Sequence, residues 1–408
     1  MNPIAESYVK LVLELGERDA GYVDAYYGPQ AWKDEAVARH RQLADLHAEA
    51  IGLIARLDAI DVARDQEILR LRKSYLRRQL DAYASRVEML QGEHLSFDEE
   101  SNALYDAVAP RHTEADFEAT LRELDGLLPG SGELQARIEA LRQEFVIPTA
   151  KLEAVFGAAI EECRKRTKAH VALPDKERFT VEYVTGQPWS AYNWYKGDDR
   201  SVIQVNTDLP VTLDRAVDLA CHEGYPGHHV YNLSLEEALV RGRGWQEFSV
   251  YALFSPQSLV AEGTANFGIE VAFPGEERTA FEKQLAALAG IDPAGVENYA
   301  RVQHELQKLS YAGNEAARRY LDGQIDAKAA ADWLERYALT SPRARAEQRV
   351  RFFDTYRAYV INYNLGQDLV RAYVEARGGT AQNPERRWQV FADLLASPRL
   401  PADLKATP

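Results

Sequence analysis

His222-Glu223-Gly224-Tyr225-Pro226-Gly227-His228-His229 is the stretch on which the reading of this chain turns. Three of the nine histidines fall within these eight positions, a density that points first to a metal. Upstream, residues 213–221 place apolar side chains at helical spacing, so a helix delivers the His-Glu pair. That helix then meets Gly-Tyr-Pro-Gly, which regular helical structure avoids. The zinc-protease signature sets two histidines four residues apart with a glutamate base between them, and here the fourth position is Pro226. In a regular helix His229 would share a face with His222 but lie ~10.5 Å along the axis, while His228 would point roughly 120° away. Two ligands of one zinc, each about 2.0–2.1 Å from it, therefore need a bulge or break between them. Gly224, Pro226 and Gly227 are residues suited to such a break.

The run His222-Glu223-x-x-Pro226-Gly227-His228-His229 resembles the motif of the bacterial family called domain of unknown function 885, whose members resemble zinc peptidases of the gluzincin type. Dipeptidyl peptidase III is similar in carrying an expanded motif with an extra helical residue. Two later stretches carry the same resemblance. Ala261-Glu262-Gly263-Thr264-Ala265 is similar to the family's Glu-Gly-Trp-Ala segment, with Thr264 replacing the aromatic residue, and Leu309-Ser310-Tyr311-Ala312-Gly313-Asn314-Glu315 is similar to its Leu-Ser-Tyr…Glu helix. The likeness spans the C-terminal half of the chain.

A catalytic zinc takes three protein ligands and keeps a fourth position open. His222 is one ligand, and His228 is preferred to His229 as the second because Gly227-His228 matches the Gly-His ending of related motifs. The third is expected to be a carboxylate on a following helix. Glu262 is the candidate, an ordinary helix-surface glutamate being the alternative; the resemblance favours ligation. Glu223 directly follows the first ligand, the position of the general base. Glu270, two turns after Glu262, is either a group that orients a histidine or a plain surface acid. Tyr311, within the family-like segment, is the candidate to hold the oxyanion, with His304 a weaker one. A carboxypeptidase-like enzyme would also need a cation for the substrate's terminal carboxylate, and Arg318, Arg319 and Arg357 are equally eligible.

At 408 residues, 46% hydrophobic and 27% charged, the composition is that of a folded globular chain with ample core. A formal charge of −15 argues against nucleic acid or an anionic membrane as the main partner. Cys163 and Cys221 are too few for a disulfide framework, and Cys221 reads as packed core. The first residues lack a basic, then apolar, signal pattern, and no stretch approaches the ~20 apolar residues of a membrane span. A cytoplasmic location is the resulting expectation.

Helical spacing predicts helices over residues 6–16, 32–57, 61–91, 96–111, 113–128 and 133–166, the last with a break at Pro148. Thr113 and Asp116 have the layout of a capping box. Residues 179–184 and 201–206 alternate and are β-branched, with an aromatic-rich connection over 186–195. They read as a small hairpin, which in thermolysin-like peptidases carries a strand along the cleft. After the motif, helices are expected over 236–240, 247–254, 257–271, 279–290, 293–321, 326–339, 341–366 and 386–395. The fold class that follows is mainly α, a multi-helix zincin-like metallopeptidase fold with a small antiparallel β-sheet beside the metal-binding helix. A helical N-terminal region, 1–170, is expected to pack on a catalytic region, 171–408, as one continuous unit. The function expected is zinc-dependent (Zn²⁺) peptide hydrolysis. Hydrolysis of small amides or esters, or a helical binding protein with a structural metal, are the alternatives, and oligomeric state is left open.

Overall fold

The computed structural model describes residues 1–187 and 189–405. The chain is mainly helical with two small sheets. The N-terminal part comprises α1 (Asn2–Gly16), β1 (Val23–Tyr26), α2 (Gln30–Arg39), α3 (Leu43–Asp58), α4 (Glu67–Leu90), α5 (Phe97–Tyr105), α6 (Glu114–Leu127), α7 (Leu134–Glu144) and α8 (Thr149–Lys168). The helix expected over 32–57 is two helices, because His40 takes the left-handed conformation at φ 44 and turns the chain. Pro148 separates α7 from α8 as its missing N–H requires. The capping box holds: Thr113 N–H donates to Asp116 Oδ2 at 2.7 Å.

Then come β2 (Arg178–Val184), β3 (Ala191–Gly197) and β4 (Arg200–Asn206), in the order β2-β4-β3. The expected antiparallel pairing of 179–184 with 201–206 is corrected here. β2 and β4 run parallel, Val181 opposite Ile203. The aromatic stretch read as a connection is itself a strand, and Pro188 within it lies outside the described residues. The physical cause is a tight turn. Asp198 and Asp199 both sit in the left-handed region, φ 56 and 60, which a two-residue hairpin needs, so β3 and β4 form the antiparallel pair.

After α9 (Leu213–Leu219) and α10 (His228–Leu235), residues 247–254 are not the expected helix. A short 3₁₀ turn, Gln246–Ser249, leads into β5 (Val250–Ala252), whose β-branched and aromatic residues pair antiparallel with β1. The remainder is α11 (Pro256–Ala272), α12 (Glu277–Ala289), α13 (Val296–Gln307), α14 (Ala312–Leu321), α15 (Ala327–Tyr337), α16 (Arg343–Tyr356), α17 (Ile361–Ala376), α18 (Pro384–Leu395) and α19 (Pro401–Leu404). Arg357, at φ 49, ends the helix expected over 341–366, and α17 then runs unbroken through Gly366.

Two apolar clusters form the core, and each draws on both sides of residue 170. Nearly all of α11 is buried, and its tightest neighbour is α17. A Cβ on Gly263 would come within 2.4 Å of the Gly366 carbonyl, and one on Gly366 within 2.6 Å of the Leu259 oxygen, so the two backbones touch. Cys163 of α8 and Cys221 are fully buried, as the core reading of Cys221 requires. They are also disulfide-bonded, with Cα atoms 5.8 Å apart. Such bonds persist in oxidising compartments, so the cysteines do not argue for a reducing one. No helix among the described residues is long and apolar enough to cross a membrane.

Candidate metal centre

The helix that delivers His222 does not stay regular. After α9 it widens into a π turn over Ala220–Gly224, then passes through Tyr225, Pro226 and Gly227 before α10 begins at His228. Gly227 N–H donates to Cys221 O at 2.9 Å, and a Cβ on Gly227 would lie 1.9 Å from the His222 carbonyl oxygen. Only glycine permits that return. Its result is that His222 Nε2 and His228 Nε2 approach to 3.1 Å.

α11 supplies the third group. Glu262 Oε2 lies 3.3 Å from His222 Nε2 and 3.7 Å from His228 Nε2. Among the described residues this is the trio whose donor atoms cluster as metal ligands do, all within 4.8 Å of one another. Their outer atoms are held. His222 Nδ1 donates to Asn266 Oδ1 at 2.9 Å, and Asn266 Nδ2 donates to the Tyr363 carbonyl at 2.8 Å. Tyr359 OH donates to Glu262 Oε1 at 2.8 Å, and Asn232 Nδ2 to the His228 carbonyl at 3.0 Å. With Nδ1 protonated, His222 presents an Nε2 lone pair inward.

Glu262 Oε2, by contrast, is buried without a hydrogen bond. A buried carboxylate oxygen is seldom left so, and two imidazoles beside it complete a donor set that fits a divalent metal. The electrostatics agree. Burial pushes the Glu262 carboxyl up, but His222 and His228 hold it well below the usual range. Burial works to lower His228, yet Glu262, Glu223 and Asp24 raise it to about 9. The site favours positive charge at its centre.

Glu223 is 5% exposed and lines the cleft. Its backbone oxygen accepts from Asn193 Nδ2 at 2.6 Å, which ties the motif to β3. Among the described residues its carboxylate makes no ion pair. His229 does not join the trio. It is fully buried, with Nδ1 2.8 Å from Ser201 Oγ and Nε2 3.3 Å from Glu177 Oε2. Glu177 also accepts from Tyr225 OH at 2.5 Å and from Arg164 at 2.6 and 2.9 Å.

Tyr311 is not brought to the metal cluster. Its hydroxyl donates to Asp368 Oδ2 at 2.6 Å, its ring packs 4.8 Å from His112, and it does not line the cleft. The helix expected over 293–321 breaks between α13 and α14, which turns Ser310 and Asn314 into the cleft instead. His304 does line the cleft. Glu270 orients no histidine. It accepts from Gln367 at 2.7 Å and pairs with Arg371 at 2.5 Å, while Asn266, one turn after Glu262, does the orienting. Arg318 is paired with Asp98 at 2.9 Å, Arg319 with Glu114 at 3.7 Å and Arg357 with Glu100 at 2.6 Å, and none of the three lines the cleft.

Other residues here were not anticipated from the sequence. Tyr359 bonds Glu262, and Tyr359 and Tyr363, whose rings pack with centroids 5.7 Å apart, both line the cleft. Asp24, brought in by β1, accepts a hydrogen bond from Tyr192. Burial pushes its carboxyl up to about 6, with Tyr192 and His228 opposing and Glu262 and Glu223 adding. The cleft measures about 2010 Å³ and runs from the edge strand β3 past the trio to α12, α13 and α16.

No protein-family model matches the chain, and no curated protein sequence matches it. Solved structures do. A candidate lipoprotein from Colwellia psychrerythraea is similar over 89% of this chain and 68% of its own, with 14% identity and a TM-score of 0.53. A structure named BsuCP is similar over 97% of this chain and 88% of its own, with 11% identity and a TM-score of 0.51. An M32 carboxypeptidase from Deinococcus radiodurans R1 aligns over 96% of this chain and 88% of its own, with 13% identity and a TM-score of 0.43. At such identities the first two likenesses establish a shared, mainly helical fold.

Proposed function

We propose that the chain is a zinc-dependent peptide hydrolase, with His222, His228 and Glu262 holding the metal. The observation that carries this reading is the buried Glu262 Oε2, without a hydrogen bond, facing the Nε2 atoms of His222 and His228, with Glu223 lining the same cleft. Two imidazoles and a carboxylate are a zinc donor set that leaves a position open. When bound, zinc would acidify a water molecule and polarise a carbonyl. Glu223 takes the proton of the attacking water and passes it to the departing amine. Asn193 keeps Glu223 aimed by gripping its backbone.

Tyr363 is the oxyanion donor in this reading, in place of Tyr311. It lines the cleft and feels both Glu262 and Glu223. β3 is an edge strand whose residues Ala191, Tyr192 and Asn193 line the same cleft, so an extended backbone can add to it. The cleft volume also favours a peptide. At about 2010 Å³ it exceeds the ~1,000 Å³ upper range of small-molecule pockets.

Glu223→Gln tests the proposal. The amide keeps size and polarity but cannot accept a proton, so zinc content should stay and cleavage should fall by ~10²–10⁴-fold. The assay is a peptide library read by mass spectrometry. Equal cleavage by wild type and Glu223→Gln would remove Glu223 as the base. Zinc-loaded wild type that cleaves no peptide would remove the peptidase reading.

A further inference from the structure

The cations that line the cleft are, with one exception, already engaged. Arg278 pairs with Asp218 at 2.9 Å, Lys283 with Glu297 at 2.5 Å and Arg371 with Glu270 at 2.5 Å. Arg215 reaches Asp218 at 3.4 Å, Arg301 reaches Asn298 at 3.0 Å and Arg387 reaches the Glu270 carbonyl at 3.2 Å. Arg349 forms neither an ion pair nor a hydrogen bond with any described residue. Its guanidinium lies over the Phe352 ring, 5.1 Å from the centroid.

The position of Arg349 matches its isolation. Arg349, Phe352 and Tyr356 lie on one face of α16, and all three line the cleft. Arg349 Nη2 lies 3.9 Å from the place of a Cβ on Gly313, and Asn314 next to it bonds Asn364, the neighbour of Tyr363. The guanidinium therefore faces the cleft beside α14 and the start of α17, whose Tyr363 carbonyl holds the Asn266 that orients His222. Arg349 is exposed to the solvent of the cleft, so a ligand that enters the cleft can reach its guanidinium. In a chain with 63 acidic residues, a cleft arginine without an acid is a vacancy for one. A guanidinium fork is matched by a carboxylate, which it binds with two parallel hydrogen bonds.

We infer that Arg349 anchors the free α-carboxylate of the substrate's last residue, so that the cleft removes residues from peptide C-termini. This rests on the peptide-hydrolase reading and narrows its substrate class. Phe352 packs on the guanidinium without taking a hydrogen bond from it, so the N–H groups of Arg349 stay available to a ligand. A carboxylate fixed there sets the last peptide bond, rather than an internal one, at the metal trio.

The test compares one peptide sequence with a free and with an amidated C-terminus, using zinc-loaded wild type, so that no variant need fold. The free peptide should lose single residues from its C-terminus, with the amidated one cleaved about 10²-fold more slowly or worse. Arg349→Gln should lose about 10²-fold in kcat/KM on the free peptide, mostly through KM, and should no longer distinguish the two. Arg349→Lys should recover part of the preference. Equal cleavage of both peptides by wild type, or an Arg349→Gln preference like that of wild type, overturns the carboxylate anchor and leaves the peptidase reading standing. Failure to cleave either peptide overturns both.

Discussion

The 225–227 loop has a histidine–glutamate assembly on each side. On the cleft side, His222 and His228 meet Glu262; away from it, His229 meets Glu177. In both, basic partners hold the buried carboxylate below its usual value against the upward push of burial. The difference lies in what remains unpaired. Glu177 accepts from Tyr225, His229 and Arg164, and both its oxygens are used. Glu262 receives Tyr359 on one oxygen, and its other, buried oxygen has the two imidazoles beside it but no hydrogen bond. A saturated carboxylate holds the fold, whereas one kept short of a partner is set for a ligand.

The sharpest way to break this comparison is to delete each acid. Glu262→Ala should empty a site that holds about one zinc per chain in wild type, and hydrolysis should go with it. Glu177→Ala should keep its zinc and lose about 3–5 kcal/mol of stability, because His229 and Arg164 are left without their buried partner. Elemental analysis beside chemical denaturation separates the two. Loss of zinc from a folded Glu177→Ala protein would show that the two sides are not distinct.

A second contrast is between phenols. Tyr363→Phe should lower kcat by about 10²–10³-fold, the usual loss for one oxyanion donor, with zinc content unchanged. Tyr311→Phe, which removes only the bond to Asp368, should leave kcat within about threefold. The reverse ranking would restore Tyr311 and refute Tyr363.

The smallest effect is one of pH. The depressed Glu177 carboxyl means that the unfolded chain binds the extra proton in acid. Its stabilisation is fully present above the ordinary glutamate value of about 4.3 and is lost as pH falls through the lower native value. Thermal melting from pH 7 down to about pH 3 should therefore fall more steeply for wild type than for Glu177→Gln. Parallel curves would place the pH dependence elsewhere.

What could be read from the chain alone was what is local. His222, Glu223 and His228 share eight positions with the glycines and proline that break the helix between them, so the convergence was legible in advance. Glu262 was legible as a candidate from its small neighbours, which pack as α11 against α17. Asn266 was missed although its signal was there, one turn beyond Glu262. Asp24, Asn193 and Arg349 were out of reach because their roles arise from topology. β1 pairs with β5 across more than two hundred residues, and β3 exists because Asp198 and Asp199 turn it onto β4. Arg349 is one of several arginines on α16, and only the cleft distinguishes it.

Where Gly263 meets Gly366 there is no side chain to exchange for a slightly longer or shorter one. The spacing between the helix that carries Glu262 and the helix that carries Tyr363 is thus a quantity that single substitutions cannot tune in small steps. Any larger residue at either position drives the helices apart, and the acid and the phenol move together or not at all. Divergence towards new substrates, in nature or in the laboratory, is then confined to the walls built of side chains: β3, α12 and α16. The same contact that makes the reacting centre hard to alter makes the rest of the cleft safe to vary.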